Sequence, residues 1–542
     1  MMTRKTISLF LLAVLVGVLA SGMTGCGATP APTEPPAPAP TEPPAPTPTE
    51  PPAPTPTEEP AVKRVLTIAA STEPTSFDSG AGGDFQNYAL NLFMFHNLFE
   101  QDEKGVPQPM LAESYSVEED NLTWTFKLKE GIEFSDGTPF TSEAVCFTVD
   151  QLIAPDSPKP HASSWAPVGE CKVVDDYTVQ LVTKEPYAAV VSHIVSGGYP
   201  GVMLSPSMGE YGDEMGLHPI GTGPYVLKEW IRGDRVILVP NENFSEALGP
   251  KAYYDEIIWR VVPEDTTRIL MLETGEVDVA YSVPPEMVES VDAKPDLNVV
   301  SVAGLWNWYL FDVNKPPLDD VRVRQALNHA VDKQLIIDTL LEGRAKIATG
   351  PIGSAFGGFE PVGTYEYDPD KAKQLLEEAG AAGAHIVVHS PSGRYPNDSK
   401  VGEAVVAQLQ EVGLDAELTV IGDWPAYMQT IWDEEPMVSF LGWQATPIQS
   451  FFFRTLACEG GNWNLGPYCD PELDELILKT AAAVDAEEYK ELATELQTTI
   501  FERAIGLYMY NVSIDTGIRA GIEGVYAQPN TLLQFRNAYG AE

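Results

Sequence analysis

The chain has 542 residues and carries 33 Lys and Arg against 78 Asp and Glu, a formal net charge of −45 at pH 7. Such an acidic protein repels phosphate, which excludes a nucleic-acid binder and disfavours contact of the body with anionic membrane surfaces. An apolar fraction of 44% with 20% charged residues is ordinary for globular proteins, so most of the chain can bury a core. The length suggests about two to four domains or lobes.

Arg4 and Lys5 precede an apolar run at residues 7–19, which is followed by small residues up to Gly25 and Cys26. This pattern predicts a secretory signal peptide over residues 1–25, because the run falls short of the roughly 20 residues that a helix needs to cross a bilayer. Met23-Thr24-Gly25-Cys26 resembles the bacterial lipobox, with Met23 in place of the usual leucine. The resemblance implies that Cys26 carries lipid and becomes the mature N-terminus. Residues 31–60 repeat Pro-Thr-Glu-Pro-Pro-Ala-Pro, with Glu34, Glu42, Glu50 and Glu58 eight apart. Such a segment lacks apolar bulk and loses a donor at every proline, so residues 26–62 are expected to form an extended tether reaching about 110 Å at about 3.1 Å per residue.

In the body, Leu122, Trp124, Phe126 and Leu128 alternate with polar residues and predict a half-buried strand, and residues 235–239 and 256–262 are similarly β-rich. Asp320 is placed to cap a helix whose apolar stripe runs Val323, Ala326, Leu327, Ala330, Val331, Ile337, Leu340 and Leu341. Asp368-Pro369 opens a second helix, with Leu375 and Leu376 on its buried face and Gly380 at its end. A third is expected over 401–412, stopped by Gly413 and followed by the alternating strand Ala416, Leu418, Val420. The pattern is that of a mixed α/β protein in more than one lobe. Besides Cys26 there are four cysteines in an exported chain, which suggests two disulfides. Three connectivities are open, and proximity favours Cys146 with Cys171 and Cys458 with Cys469.

No G-x-S-x-G elbow, H-E-x-x-H helix or G-x-x-x-x-G-K-[ST] loop occurs, which counts against an exported hydrolase. His385 and His389 have the spacing of a helical metal pair, but Ile386-Val387-Val388 between them is β-forming. On a strand the two imidazoles stand about 13 Å apart and cannot share an ion. Asp319-Asp320 reads as a helix cap, Glu118-Glu119-Asp120 as a solvated turn, and Gly221-Thr222-Gly223-Pro224 lacks the third glycine of a dinucleotide loop. No catalytic residue, cofactor or metal is therefore expected.

Several segments in order resemble one family, the bacterial solute-binding proteins of family 5 that serve ATP-driven importers for peptides, nickel and related solutes. They are Pro109-Met110-Leu111-Ala112-Glu113-Ser114-Tyr115; Phe134-Ser135-Asp136-Gly137-Thr138-Pro139-Phe140-Thr141; Pro219-Ile220-Gly221-Thr222-Gly223-Pro224-Tyr225; Leu272-Glu273-Thr274-Gly275-Glu276-Val277-Asp278; Asp320-Val321-Arg322-Val323-Arg324-Gln325-Ala326-Leu327; and Gly442-Trp443. The resemblance implies a type II periplasmic-binding-protein fold, with two α/β lobes joined by crossings near residues 310–314 and 508–512. Lobe I would hold residues 63–312 and 511–542, and lobe II residues 313–510. Arg322 and Arg324, at the helix start, read as surface charges pairing with acids.

In relatives that take free peptides, an aspartate three residues after the Gly-Trp tryptophan pairs with the ligand's α-ammonium; here that position is Thr446. A hydroxyl cannot neutralise a buried ammonium, which makes a plain oligopeptide a poorer fit. Trp443, Trp306, Trp308 and Tyr309 are the expected aromatic contacts, suited to sugars, apolar side chains or cations. The function implied is an extracytoplasmic, lipid-anchored, monomeric receptor that captures a peptide-like solute or oligosaccharide and delivers it to the permease of an ABC importer. The alternatives are a sensor or scaffold built on the same closure and, at lower weight, a hydrolase.

Overall fold

The computed structural model describes residues 63–80, 85–102, 106–155, 157, 159, 162–194, 201–434, 436–458, 463–464, 468–483, 485–528 and 533–540. The signal peptide, Cys26 and the Pro/Thr/Glu repeat lie outside the described residues. The fold belongs to the unit Val62–Glu542.

An eleven-stranded sheet forms the spine. In chain order its strands are β1 (Val65–Ala70), β2 (Tyr225–Ile231), β3 (Arg235–Pro240), β4 (Glu256–Val261), β5 (Val279–Ala280), β6 (Leu297–Phe311), β7 (Ala345–Ile347), β8 (His385–Pro391), β9 (Asp415–Ile421), β10 (Val438–Trp443) and β11 (Gly506–Arg519). Across the sheet the order is β9-β8-β10-β6-β11-β5-β1-β4-β3-β2, with β7 also pairing with β11. Two strands, β6 and β11, are antiparallel partners along most of their length and belong to both halves. The C-terminal part of β6 pairs with β10, while the far end of β11 pairs with β5. Between Ala303 and Leu305 the register shifts, at Gly304, whose φ of 122° lies in a region that side chains rarely enter.

Parallel pairs β1/β4, β1/β5, β8/β9 and β8/β10 are the crossovers of an α/β fold. A separate antiparallel sheet of four strands, Ala112–Val117, Thr123–Leu128, Thr178–Thr183 and Val168–Asp175, encloses a second core. The alternation at 123–128 does what the sequence predicts, burying Trp124, Phe126 and Leu128. Both disulfides form as proximity suggests: Cys146 with Cys171, which ties the helix Ser142–Ile153 to the strand Val168–Asp175, and Cys458 with Cys469.

Three local expectations need correcting. The apolar stripe after Asp320 is carried by two helices, Val321–Ala330 and Lys333–Leu340. Val331 between them is extended (φ −102°, ψ 116°), because the Asp332 side chain accepts the Leu335 N–H at 2.9 Å and caps a fresh helix. The helix expected at 401–412 begins earlier and spans Asp398–Glu411. Arg322 does pair with Asp320, but Arg324 is buried, and its guanidinium donates to the carbonyls of Leu318, Arg503 and Ala504 at 2.7, 2.9 and 3.2 Å. Gly221 and Gly223 form the expected structural turn, and a Cβ on either would lie 2.1 or 2.4 Å from backbone atoms of Phe93 and Met94.

Candidate functional site

Residues on a strand point alternately to opposite faces, and this decides where the aromatics of β6 go. Trp306 and Trp308 share one face and stack, with ring centres 4.8 Å apart and planes 18° from parallel. Trp443 lies opposite Trp306 in the β10 register and therefore on the same side. Phe451, on the helix Ile448–Leu456, binds the group together: its ring is 5.7 Å from Trp306, 6.3 Å from Trp308 and 5.2 Å from Trp443. Tyr309 is not part of this group. It points to the other face, where it packs on Phe440 at 4.8 Å, and burial raises its pKa. Trp306, Trp308 and Tyr309 are buried, whereas Trp443, Gln444 and Thr446 are only partly covered.

Two residues that sequence reasoning passed over complete the cluster. Trp463 stands edge-on to Trp443 with ring centres 5.0 Å apart, and its backbone N–H donates to the Arg454 carbonyl at 2.9 Å. Arg454, 5% exposed, places its guanidinium carbon 5.3 Å from the Trp443 ring and 5.9 Å from the Trp463 ring. Burial brings its pKa down to about 10, against the opposing pull of the Tyr187 hydroxyl. The signals for both were in the sequence: Arg454 is the single cation in an apolar helix turn, and Trp463 is the single tryptophan between two cysteines.

The polar atoms of this cluster are mostly donors. Nε1 of Trp306, Trp308 and Trp463, Nε2 of Gln444 and Oγ1 of Thr446 are buried and find no hydrogen-bond partner among the described residues. An indole N–H and an amide NH2 can only donate, and each costs free energy when left unpaired.

A second cation approaches from the loop after β8. Arg394 lies 5.0 Å from the Trp424 ring and 5.3 Å from that of Tyr395. The loop is held by Asp398, which accepts backbone N–H groups of Gly393, Arg394, Tyr395 and Ser399 at 2.9–3.0 Å. Burial nevertheless raises the Asp398 pKa, outweighing those four donors. Tyr395 closes the circuit by donating to the Gly442 carbonyl at 3.3 Å, next to Trp443. From the β1-containing half, Tyr187 hydrogen-bonds Ser450 on the Phe451 helix, and the Ala188 N–H reaches the Ala481 carbonyl at 3.3 Å.

Among the described residues no group of His, Cys, Asp and Glu is arranged to hold a metal ion. His385 and His389 lie on strand β8 as their sequence context predicts, and His385 bonds Asp415 at 3.0 Å in solvent.

The sequence profile of bacterial extracellular solute-binding proteins, family 5 (middle), matches residues 106–464. A glutathione-binding protein, GsiB, from Pectobacterium atrosepticum is 29% identical over 482 residues, covering 87% of this chain and 93% of that protein. In structure the chain resembles the periplasmic binding protein DppA of Helicobacter pylori in complex with the peptide STSA, with a TM-score of 0.79, 24% identity and coverage of 89% and 99% of the two chains. It also resembles the binding protein AgaA of A. tumefaciens R10 in complex with agropinic acid, with a TM-score of 0.80, 21% identity and coverage of 88% and 99%. The type II, two-lobed binding fold is thereby established.

Proposed function

Because the chain belongs to the bacterial extracellular solute-binding proteins of family 5, and is thus an extracytoplasmic solute receptor, we propose that its ligand is a small peptide-like solute bearing carboxylates. The observation that carries this reading is the surplus of unpaired donors around Trp443, in company with Arg454 and Arg394. A ligand rich in acceptors would pair these groups, and carboxylates do so with charge-assisted bonds. Thr446 offers no counter-charge to an ammonium, so the ligand's amino group lies away from this position or is absent. Glutathione, the ligand of the GsiB relative, has two carboxylates and a γ-linked amide, which suits this chemistry.

The strand change-over at residues 303–305 of β6, matched by 512–513 of β11, is the hinge in this reading. That assigns residues 63–303 and 513–540 to lobe I and 305–512 to lobe II, which moves the first boundary nine residues from the expected 312 and the second two residues from the expected 511. Closure buries the solute against Trp443, and the closed form is what an ABC importer accepts. Cys26 carries the lipid that tethers the body to the membrane.

Calorimetry against glutathione, di- to tetrapeptides, their carboxyl esters and β-linked oligosaccharides tests the proposal. Free acids are expected to bind and to weaken at least about tenfold on esterification. In Trp443→Ala the loss is roughly 30-fold or more, as for a central aromatic contact. Tight binding of a neutral sugar, or indifference to esterification, overturns it.

A further inference from the structure

Arg344 spans the strand change-over between β6 and β11. It precedes β7, whose residues Ala345, Lys346 and Ile347 pair with Val512, Asn511 and Tyr510, and its own carbonyl extends that ladder by accepting the Ser513 N–H at 3.1 Å. With the hinge at 303–305 and 512–513, the Arg344 backbone therefore travels with lobe II. Its guanidinium reaches into lobe I. Nε and Nη2 donate to the two carboxylate oxygens of Asp515 at 2.7 and 2.5 Å, and Nη2 also donates to Oγ of Ser301 at 2.7 Å. Ser301 and Asp515 are cross-strand partners on the lobe I side, and the Asp515 carbonyl accepts the Val283 N–H, in the turn after β5, at 2.8 Å. Asp515 is 2% exposed, and among the described residues Arg344 is the only cation paired with it.

A two-pronged guanidinium–carboxylate contact keeps its strength over a narrow range of angles, so turning one lobe against the other tilts the fork off its target. There is room for that movement. A pocket of about 440 Å³ lies beside the pair, lined by Gly304, Lys346, Asn511 and Ser513 among others. Glu342, two residues before Arg344, is held at φ 50°, an unfavourable conformation for a residue with a Cβ, and the turn it makes sets the Arg344 N–H on the Leu341 carbonyl at 2.8 Å. The lobes themselves are in contact here: the Ala188 N–H of lobe I donates to the Ala481 carbonyl of lobe II at 3.3 Å, and Ala481 packs in one core with Tyr187 and Ala189.

We propose that Arg344 is a positioning residue for solute capture: its fork on Asp515 and Ser301 forms when the lobes close and is pulled apart when they open, so the pair holds the closed arrangement and slows the release of solute. Opening strips a buried carboxylate of its partner, and that difference between the two arrangements is what biases the equilibrium. The inference rests on the hinge placement under the proposed function and is independent of which solute is bound.

The test follows lobe separation and solute release together. p-Acetylphenylalanine introduced at Val174 in lobe I and Leu478 in lobe II, both exposed, carries nitroxides without touching the disulfides, and pulsed electron double resonance reads their separation. Without solute, in a crowding polymer that favours the compact form, the wild type is expected to show a short and a long separation, and in Arg344→Gln the short one falls about tenfold relative to the long. Arg344→Gln/Asp515→Asn, which strands no charge, is expected to match Arg344→Gln within about threefold. Lys346→Gln, at an exposed cation of the same pocket, is expected to match the wild type. With glutathione as the probe, Arg344→Gln is expected to bind about tenfold more weakly through faster dissociation, association staying within about threefold. A separation ratio in Arg344→Gln/Asp515→Asn equal to that of the wild type overturns the proposal, because the effect of Arg344→Gln then comes from the stranded Asp515. A wild type with only the long separation overturns it too, as does unchanged dissociation in a variant that binds glutathione. If glutathione binds no form of the protein, the carboxylate reading falls and the separations alone decide the role of Arg344. If it binds and the separations respond to neither glutathione nor substitution, the hinge placement and the proposal fall together.

Discussion

Replacing Gly442 by alanine tests how tightly the site is built. A Cβ there would lie 2.5 Å from Cε1 of Tyr395 and 2.7 Å from Nδ2 of Asn307, closer than carbon atoms approach side chains in folded proteins. Neither neighbour has room to retreat: Asn307 is 1% exposed, and Tyr395 is wedged edge-on against Phe440 at 5.5 Å and Trp424 at 6.0 Å. Overpacking of this kind costs about 1–3 kcal/mol, and displacing Tyr395 also strains its bond to the Gly442 carbonyl, worth about 1 kcal/mol. A loss of about 2–4 kcal/mol is expected in urea unfolding followed by far-UV circular dichroism. Gly422→Ala is the control, because nothing lies within 4 Å of its Cβ position, and it should leave the midpoint alone. Adding Tyr395→Leu to Gly442→Ala should cost less than the sum of the single changes, since the clash is then already relieved. Solute affinity should fall as well, because the clash moves Trp443 and the Arg394 loop together. A Gly442→Ala protein within about 0.5 kcal/mol of wild type would refute the packing argument.

Other expectations follow from buried charge and from the N-terminal segment. Arg536 and Glu100 form a buried pair, 7% and 6% exposed, so Arg536→Gln strands a carboxylate and should lose about 3–5 kcal/mol by the same unfolding assay, whereas Lys479→Gln, at an exposed pair, should change nothing measurable. Burial, with help from Arg536 and Lys129, holds the pKa of His96 well below the ordinary histidine value. The unfolded chain takes up a proton at about pH 6.5 that the folded one refuses, so stability should fall as pH drops from about 7.5 to about 5, with a shallower slope in His96→Gln. Cys26→Ala should release the protein from the membrane fraction into the soluble fraction of its host.

Much of the fold is legible where one face of an element is buried and the other wet. The alternation around Trp124 and the Asp368-Pro369 helix start survive intact, since local propensity and tertiary burial agree there. The split after Ala330 escapes a periodicity argument because the apolar stripe continues in phase through Val331, and only the capping bond from Asp332 marks the break. Arg324 misleads for a related reason. A cation near a helix start looks exposed in sequence, yet the nearby Leu318 carbonyl and the distant carbonyls of Arg503 and Ala504 satisfy it, and their convergence is a tertiary fact.

The candidate site divides along the same line. Gly442-Trp443 stands out by its motif, and the stacking of Trp306 on Trp308 agrees with their spacing, but the same spacing sends Tyr309 to the opposite face, although proximity in sequence groups it with the other aromatics. What no pattern along the chain conveys is the balance of donors over acceptors. That balance is a property of which polar atoms are enclosed together without partners, and it arises from residues between 306 and 463 that only the fold assembles. Thr446 by itself argues only against an ammonium at that position. In the proposed reading, Thr446 together with four unpaired N–H donors and two arginines favours carboxylates in its place, and this makes the prediction about carboxyl esters sharper than one resting on the motif alone.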